Sequence, residues 1–562
     1  MAIIGIDLGT TNSLACACQE GKMVLIPNSL GQFLTPSAVS VEEDGSICVG
    51  AVAKERLISH PEASAASFKR FMGTNHVFHL SGQNFTRQEV SSFGLRQLKA
   101  DAEQFLNEEV TEAVISVPAY FNENQRYATK QAGALAGIRV ERLINEPSAA
   151  ALAASRISRE EEGSYLVFDF GGGTLDVSVV DYFENVVEII AVSGDNHLGG
   201  DDFDELIAQS FCKACQLEYK KLDPRERAVL LRLSEGCKKE LTVQKQTELV
   251  YGPEGKSLKL TNVLLADMSQ GIFDRIGQVI SDVLRDSGRT MEEIDEIVLV
   301  GGSARMPVIT FYLQTCLGKK PCVIGSPDEV VAAGAGVCAG IKERRKEIRD
   351  LVLTDICPFT LGTGVLNRSD QNNPVMSPVI ERNTILPSAR TNFYTNSHDN
   401  QKHITVGIYQ GESYYCLENI ELGRIEMDIL PMPAGKARFE LTFTYDINGL
   451  LKVELTDHHQ NQNLQKLLTT GGIRVPEEEV QKRAEELQTY KLLPPGGIRT
   501  RLVLARGERL FKQLLGEKRT AAASVMEQLQ RALDSQNDQQ IVKLMKEAET
   551  FFDELEGINP QR

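Results

Sequence analysis

The chain has 562 residues, a formal net charge of −17 and 42% hydrophobic residues. This length exceeds what one hydrophobic core supports, so we expect several domains. The acidic balance argues against nucleic acid as a partner, because a polyanion would be repelled. No apolar run has membrane-spanning length, and the eleven cysteines are scattered. We therefore expect a cytoplasmic protein with reduced thiols and no membrane partner.

Residues 1–345 alternate strand-like and helix-like segments, which is typical of an α/β domain. The apolar segments AIIGID, AVISVP, YLVFDF and EIVLVG predict strands. The segments NENQRYATKQAGALAG and 225–241 predict helices. The charged stretch KERRKEIRD at 342–350 predicts another helix, and the apolar triplet LVL follows it.

The pattern changes after this point. Residues 356–460 alternate apolar and polar positions, which predicts an antiparallel β domain, and Asn448-Gly449 predicts a type I′ hairpin within it. Residues 476–557 are charged and helix-periodic, with a Pro-Pro-Gly-Gly break at 494–497. The sequence thus predicts an α/β region, a β region and an α region, in that order.

An internal repeat lies within the α/β region. AIIGIDLGTTNSLACA at 2–17 and YLVFDFGGGTLDVSVV at 165–180 each contain an apolar strand, an aspartate, a glycine turn with threonine and a second apolar strand. The aspartates are Asp7 and Asp169. This repetition predicts a duplicated domain whose halves face each other across a cleft.

Both turns offer backbone N–H groups and threonine hydroxyls to a polyphosphate. Two carboxylates beside a polyphosphate repel it unless a cation intervenes, and Mg²⁺ suits carboxylates together with phosphates. One such turn by itself is as readily explained as a tight hairpin, but two matched copies favour phosphate binding.

A third glycine turn, in EIVLVGGSARMP, offers a flat backbone and Arg305 to a nucleotide base, although a loop with a surface arginine is the simpler explanation. In LSEGCKKELT, Glu235, Lys238 and Thr242 have the i, i+3, i+7 spacing of one helix face. Such a charged face is usually only solvated.

Several motifs together carry a family resemblance. GIDLGTTNS, VISVPAYFNENQR, LINEPSAAALAA, FDFGGGTLDVS, GDNHLGGDDFD and VLVGGSARMP resemble, in order, the ATPase motifs of the 70-kDa heat-shock chaperones, the DnaK-like family. LTDICPFTLG, PVIERNTILP, ITVGIYQGE and YDINGLLKVEL resemble its peptide-binding domain. The resemblance covers about residues 1–470, and the helical tail matches in position and character.

The resemblance implies a multidomain fold. Its parts are an α/β actin-like ATPase domain at 1–348, a linker at 349–355, a β-sandwich peptide-binding domain at 356–472 and a short α-helical lid at 473–562. The implied function is that of an ATP-dependent chaperone, which binds extended, unfolded client peptides with an affinity switched by ATP binding and hydrolysis.

The resemblance also implies residue roles at ATP and Mg²⁺. Asp7 and Asp169 flank Mg²⁺ through water, Lys69 neutralises the γ-phosphate and orients the attacking water, and Glu146 lies near that water on a loop before Pro147. The implied phosphate loops are Thr10, Thr11 and Asn12, and Gly171, Gly172, Gly173 and Thr174. The implied adenosine site is Glu235, Lys238, Thr242, Gly301, Gly302, Ser303, Arg305 and Asp328, with Gly199 and Gly200 against the nucleotide from the other lobe.

Further positions match the family's allosteric and partner sites. Pro118 and Arg126 match a proline switch and an arginine relay that sense the nucleotide; the ordinary reading of Pro118 is a strand end before a helix. The linker residues Leu351, Val352 and Leu353 match a segment that docks on the ATPase domain, although an edge strand is the plainer interpretation. The positions that match a J-domain co-chaperone contact are Arg142, Asn145 and Asp355.

In the peptide cleft, Ile404 matches the pocket floor, and Leu366 and Ser397 match the pair that arches over the peptide. The segment after Thr242 is shorter than in typical members, which argues against dependence on the usual nucleotide-exchange factor. The polar Ser397 and the extra residues at 367–374 argue against a generalist peptide preference. These departures resemble the specialised bacterial HscC-type branch.

Two other classes share the two-lobed phosphate motifs. A metabolite kinase needs a base poised for a substrate hydroxyl and has no use for a β domain at 356–460. An actin-like filament protein would end near residue 345. The β domain therefore favours the chaperone over both alternatives.

Overall fold

A computed structural model gives the fold. It describes residues 2–157, 162–183, 186–252, 255–323, 325–343, 352–367, 370, 373–460, 462–467, 476–514, 516–535 and 538–556. In the described part of the chain there are fourteen α-helices and seven sheets. The prediction of a multidomain chain of mixed α/β character is confirmed.

The strands up to residue 323 are β1 (Ala2–Leu8), β2 (Asn12–Gln19), β3 (Lys22–Ile26), β4 (Thr35–Pro36), β5 (Ala38–Val41), β6 (Ile47–Val49), β7 (Ser64–Ala66), β8 (Val77–Leu80), β9 (Gln83–Thr86), β10 (Val110–Val117), β11 (Arg139–Asn145), β12 (Gly163–Phe170), β13 (Leu175–Phe183), β14 (Val186–Asp195), β15 (Gln246–Tyr251), β16 (Lys256–Thr261), β17 (Glu296–Val300) and β18 (Cys322–Val323). The helices in this region are α1 (Ala51–Ser59), α2 (Arg87–Leu106), α3 (Glu123–Leu135), α4 (Glu146–Ile157), α5 (Gly200–Ala214), α6 (Pro224–Glu240), α7 (Asn262–Met268), α8 (Gln270–Ser287), α9 (Pro307–Leu317) and α10 (Val330–Lys342).

Two large sheets organise two lobes. The first has the order β11-β10-β1-β2-β3, with β4 paired to β2, and the second has the order β18-β17-β12-β13-β14-β19, in which β19 is Val352–Thr354. We call the elements around these sheets lobe I and lobe II. Helices α4 and α10 share one hydrophobic cluster with residues of both sheets, so they lie between the lobes. In each lobe an antiparallel hairpin carries one copy of the repeat.

The next region is antiparallel β-structure. Its strands are β20 (Leu361–Val365), β21 (Val375–Ile380), β22 (Ser388–Tyr394), β23 (His403–Gln410), β24 (Ile420–Asp428), β25 (Phe439–Tyr445), β26 (Leu451–Asp457) and β27 (Gln462–Leu467). They form two four-stranded sheets, β21-β20-β23-β24 and β22-β25-β26-β27. Strands β25 and β26 bury every second residue, and both sheets contribute to one core cluster, as in a sandwich.

The hairpin between β25 and β26 forms, but the predicted type I′ turn is wrong. Tyr445 pairs with Leu451, Gly449 N–H donates to the Asp446 carbonyl, and Gly449 has φ of 70°, whereas Asn448 does not have positive φ. A type I′ turn needs positive φ at both central residues. The loop is therefore a longer turn in which only the glycine takes the left-handed conformation.

The C-terminal helices are α11 (Glu477–Leu487), α12 (Pro495–Gln513), α13 (Gly516–Asp534) and α14 (Asp538–Glu556). The Pro-Pro-Gly-Gly segment marks the start of α12, whose first three residues are Pro495, Gly496 and Gly497. Helix α12 packs along α1 of lobe I, and helices α12, α13 and α14 share a small core of their own. Among the described residues, none of the helices combines the length and apolar character needed to cross a bilayer. Most of the charged stretch predicted as helical at 342–350 lies outside the described residues.

Candidate functional site

A cleft with a cavity volume of about 390 Å³ lies between the two lobes. Its walls come from both sheets and from α6. The predicted site residues that line it are Asp7, Thr10, Thr11, Asn12, Lys69, Glu146, Asp169, Gly171, Gly172, Thr174, Glu235, Lys238, Thr242, Gly301, Gly302, Ser303, Arg305 and Asp328. Residues far apart in the sequence thus meet around one cavity.

The two repeat copies form equivalent hairpins at the inner end of this cleft. Asp7 pairs with Leu14 across the β1–β2 hairpin, and Asp169 pairs with Asp176 across the β12–β13 hairpin. In the second turn, Gly171 N–H donates to the Thr174 carbonyl at 3.1 Å. Each aspartate therefore lies at the end of a strand, immediately before a turn whose backbone faces the cavity.

Glycine is required where the two turns and the start of α5 meet. A Cβ on Gly172 would overlap the hydroxyl of Thr11 in the opposite turn. A Cβ on Gly199 would lie 2.5 Å from the Gly172 carbonyl carbon and the Gly173 nitrogen. Gly200 N–H donates to the Gly171 carbonyl at 3.0 Å, which holds α5 against the second turn. Gly173, Gly199 and Gly200 thus pack behind the cavity wall.

A buried group of carboxylates surrounds the ammonium of Lys69. Lys69 Nζ donates to Glu146 Oε1 at 2.6 Å, and Ser116 Oγ donates to Asp7 Oδ1 at 2.7 Å. Burial and the charge of Glu146 raise the pKa of Asp7 to about 6 and the pKa of Asp169 well above its usual range. Burial by itself would lower the pKa of Lys69, but the charges of Glu146 and Asp7 outweigh burial, and the pKa is raised above its usual value.

Asp176 belongs to this group, although the sequence analysis did not assign it to the site. Burial and the charge of Glu146 raise its pKa to about 7, and Tyr120 N–H donates to its Oδ1 at 3.3 Å. Asp176 pairs with Asp169 across the β12–β13 hairpin, and this pairing is the feature that could have identified Asp176 as a site residue.

The buried carboxylates around Lys69 are suited to binding a hydrated cation. Asp7, Glu146, Asp169 and Asp176 are buried carboxylates around Lys69, so the cleft favours added positive charge. Among the described residues, no three Asp, Glu, His or Cys side chains converge closely enough to hold a metal ion directly. The Thr11 hydroxyl is buried without a hydrogen-bond partner. An octahedral ion that keeps its waters and shares a polyphosphate suits this arrangement better than a fully protein-ligated one.

Glu146 and Thr242 are not placed as the sequence analysis predicted. Glu146 was predicted on a loop, but it is the first residue of α4 and is buried against Lys69. Thr242 was predicted on one helix face with Glu235 and Lys238, but α6 ends at Glu240. Thr242 Oγ1 donates to the Lys239 carbonyl in the following turn, and this turn still brings it to the cavity wall.

The α6 side of the cleft is held by ion pairs. Lys238 Nζ donates to Asp204 Oδ2 at 2.7 Å and to the Gly200 carbonyl at 2.9 Å. Glu235 pairs with Lys54 of lobe I at 3.0 Å and with Lys239. Burial would raise the pKa of Glu235, but Lys54 and Lys239 hold it at about 2. Glu235 is therefore charged and joins the two lobes.

The third glycine turn completes the wall. Gly301 has φ of 82°, and a Cβ there would lie 2.6 Å from the Phe170 carbonyl oxygen. Arg305 pairs with Asp328 at 2.7 Å and remains half exposed, so its guanidinium plane is fixed beside the opening. Lining residues that the sequence analysis did not assign to the site are Gly9, Leu14, Leu34, Asp201, Asp204, Lys239, Met306, Pro327 and Val331.

A buried hydrogen-bond path leads from this region to the β-sandwich. It starts in the loop that follows Pro118, because Arg126 donates to the Ala119 carbonyl at 2.9 Å. Arg126 also donates to Asn145 Oδ1 at 2.7 Å, and Asn145 Nδ2 donates to both oxygens of Asp355 at 2.9 Å. Asn145 and Asp355 are both buried.

The hairpin loop of the sandwich contacts lobe I directly. Arg142 Nη1 donates to the Ile447 carbonyl at 2.7 Å, Leu143 N–H donates to Asn448 Oδ1 at 3.0 Å, and Leu451 N–H donates to Glu123 Oε1 at 2.6 Å. Of the three residues predicted to meet a co-chaperone, Arg142 is half-buried, whereas Asn145 and Asp355 are inside the interface.

Strand β19, in the segment predicted to be a linker, extends the lobe II sheet. Val352 and Leu353 pair in parallel with Val186 and Val187 of β14. Leu353 packs against the cluster between the lobes, while Val352 is 51% exposed. Leu351, predicted as a docking residue, lies outside the described residues.

The three predicted peptide-cleft residues lie in the sandwich. Ile404 on β23 is buried in the sandwich core, Leu366 follows β20 and is 44% exposed, and Ser397 is exposed in the loop between β22 and β23. Ser397 Oγ donates to Gln401 within its own loop. The neighbouring Asn396 is buried and donates to the Met432 carbonyl at 3.1 Å, so the loop with Ser397 is hydrogen-bonded to the loop that contains Met432.

A family model described as Hsp70 protein matches residues 3–79 and 75–558. The match extends over the two-lobed region, the sandwich and the C-terminal helices.

Proposed function

The chain belongs to the Hsp70 family, and from this premise we propose how its cleft drives its sandwich. It is an ATP-dependent molecular chaperone with ATPase activity. The family match gives no support to a metabolite kinase or a filament protein. We propose an actin-like ATPase domain at 1–348, a linker at 349–355, a β-sandwich at 356–472 and a helical lid at 473–562.

We propose that the inner end of the cleft hydrolyses ATP. The phosphates would accept from the first turn, with Thr10, Thr11 and Asn12, and from the second turn, with Gly171, Gly172, Gly173 and Thr174. Asp7 and Asp169 would hold Mg²⁺ through its waters. The cation supplies charge neutralisation for phosphoryl transfer. Lys69 would neutralise the γ-phosphate and orient the attacking water, and Glu146 would hold the Lys69 ammonium close to that water.

The remaining wall suits adenosine. Glu235, Lys238 and Thr242 would contact the ribose and base from α6 and its following turn, and Gly200 packs behind them. Gly301, Gly302, Ser303, Arg305 and Asp328 would hold the base from the other side. The flat glycine backbone and the fixed Arg305 guanidinium are what support this assignment.

Coupling between the cleft and the sandwich is supported by one observation, the buried hydrogen-bond path Arg126–Asn145–Asp355. It joins the loop after Pro118 to Asp355, the last residue of the proposed linker before the sandwich. We propose that peptide binding in the sandwich changes ATP turnover through this path and through the linker pairing on β14. By linkage, the nucleotide then changes the affinity for peptide in return.

The proposed client is an extended, unfolded peptide segment bound by strand-like hydrogen bonds. Ile404, Leu366 and Ser397 would form its side-chain pocket, and the polar Ser397 supports a narrowed preference of the HscC type. A J-domain co-chaperone would reach Arg142 at the surface. A nucleotide-exchange factor and a cytoplasmic location belong to the same proposal, the latter supported by the scatter of the eleven cysteines along the sequence without a disulfide framework.

The test is the steady-state ATPase rate with and without an extended apolar peptide. The unaltered chain should change its rate with peptide, and Leu353→Asp should abolish that response because it puts a charge into the cluster between the lobes. Val352→Asp is the matched control, since the Val352 side chain is mostly exposed. A full peptide response in Leu353→Asp would refute the linker's role, and a chain that binds no ATP would refute the site.

A further inference from the structure

The C-terminal helix α12 and the lobe I helix α1 form an extensive interface. Ile498 and Ala505 of α12 share a buried apolar cluster with Val52 and Ala53 of α1. At the end of α1, Lys512 donates to the Ser59 carbonyl. This docked position is therefore specified by apolar packing together with polar contacts.

One carboxylate in this interface has two arginine partners from different parts of the molecule. Glu55 of α1 accepts from Arg232 of α6 in lobe II through Oε1 at 2.9 Å. The other oxygen, Oε2, accepts from Arg509 of α12. Glu55 is 12% exposed and Arg509 is almost completely buried, so α12 covers this carboxylate. Glu55 thus joins lobe I, lobe II and the C-terminal helices at one point.

The Glu55–Arg232 pair is next to the nucleotide cleft. The adjacent residue Lys54 pairs with Glu235 at 3.0 Å, and Glu235 lines the cavity. Both pairs connect α1 of lobe I to α6 of lobe II. Opening the cleft by moving α6 away from α1 has to break them.

Docking of α12 strengthens the Glu55–Arg232 pair for a physical reason. A charge pair covered by protein lies in a lower effective dielectric than a hydrated one, and its attraction rises accordingly. An exposed pair at the same distance contributes little. Burial would raise the pKa of Glu55, but Arg232 and Arg509 hold it below its usual range, so the carboxylate stays charged under α12.

We propose that Glu55 couples docking of α12 to closure of the nucleotide cleft, so that nucleotide leaves more slowly while α12 is docked. The inference rests on the nucleotide-binding role proposed for the cleft. Arg509 acts through Glu55 and Arg232, and it is a positioning residue without nucleotide contact. Release of α12 exposes the pair to water and speeds nucleotide loss.

The experiment measures dissociation of a fluorescent non-hydrolysable ATP analogue from the full chain during a chase with unlabelled ATP. Arg509→Gln and Arg232→Gln should each accelerate dissociation about five-fold or more, the lower end of common coupling between sites. The double variant should be no faster than Arg232→Gln, because both changes act on the same pair. Arg499→Gln is the matched control on α12: Arg499 pairs with Glu549 of α14, is 68% exposed and should leave the rate unchanged.

A second measurement separates coupling from a general loosening of the helices. By reciprocity, the analogue should slow hydrogen exchange in residues 51–59 and 495–513 of the unaltered chain, and Glu55→Gln should remove that effect. A dissociation rate for Arg509→Gln within two-fold of the rate of the unaltered chain overturns the inference. The inference also fails if the accelerations caused by Arg509→Gln and Arg232→Gln multiply in the double variant. If the unaltered chain fails to bind the analogue, the proposed function fails as well, which is a different result from normal binding with unchanged rates.

Discussion

Lys69 Nζ lies 2.6 Å from Glu146 Oε1, and both side chains are buried at the inner end of the cleft. The pair connects a 3₁₀ turn of lobe I, Phe68–Phe71, to the first residue of α4 between the lobes. The charges of Asp7, Asp169 and Asp176 also act on it, so the ammonium is held in place by charge on several sides. A cation fixed in this way neutralises a phosphate without having to reorganise.

Lys69→Ala should lower the rate of ATP hydrolysis by about 10²–10³, the cost of removing one preorganised charge-stabilising group. ATP binding should persist, because the two turns and the α6 wall remain. Single-turnover hydrolysis and equilibrium ATP binding, measured on the same sample, check this. Lys221→Ala is the control, since Lys221 is exposed and pairs with Glu218 outside the cleft. Hydrolysis at the unaltered rate in Lys69→Ala would remove Lys69 from the mechanism.

Gly199→Ala should weaken ATP binding, because the new Cβ would press on the backbone of the second phosphate turn. Overpacking of this kind costs about 1–3 kcal/mol, equivalent to about 5- to 150-fold in affinity. Gly236→Ala is the matched control: Gly236 lies within α6, and an added Cβ would point into open space with no contact outside its own helix turn. That change should leave binding intact and stabilise the helix by about 0.5–1 kcal/mol. Equal ATP affinity in the two variants would contradict the close approach at Gly199.

The residues whose positions could be predicted from sequence are those that a local pattern locates. Asp7 and Asp169 each precede a glycine turn, so one strand and one turn suffice to locate them. Asp176 was missed because its role depends on the hairpin register that sets it opposite Asp169. Thr242 was placed on the wrong element because the end of α6 depends on packing that helical periodicity does not report.

Long-range contacts were out of reach of the sequence for a related reason. The docking of α12 on α1 joins residues more than 450 positions apart, as in the Arg509–Glu55 contact. Each helix has an ordinary amphipathic pattern, and several pairings of such faces satisfy the same pattern. The antiparallel β-structure of the region 356–460, in contrast, followed from alternation within single strands such as β25 and β26.

Asn145→Ala should abolish the peptide response of the ATPase while leaving the basal rate nearly unchanged. The amide bridges Arg126 and Asp355, and its removal breaks the buried path without touching the cleft. Asn145→Asp should be more damaging, since it places a second carboxylate against Asp355 and removes the amide that donates to both Asp355 oxygens. ATPase rates with increasing peptide, for both variants, measure the effect. A normal peptide response in Asn145→Asp would show that coupling takes another route.

Docking of the sandwich on lobe I should weaken as the pH rises, because of Glu123. Burial raises the pKa of this carboxyl well above its usual range; Asp446 of the docked hairpin adds to the rise, and Arg126 and the Leu451 N–H oppose it. The pKa is higher when docked than when exposed to water. Protonated Glu123 therefore stabilises docking fully below the ordinary glutamate pKa, and this stabilisation is lost as the pH rises through the raised pKa of the docked state.

Fluorescence energy transfer between a label on lobe I and one on the sandwich, followed from pH 6 to pH 8 with saturating ATP, measures this dependence. Glu123→Gln keeps an oxygen that accepts from Leu451 N–H and cannot ionise, so docking in this variant should change less with pH and exceed that of the unaltered chain at pH 8. The same pH dependence in both proteins would assign the titration to another group. Docking that strengthens with pH in the unaltered chain would contradict the burial of Glu123 at this interface.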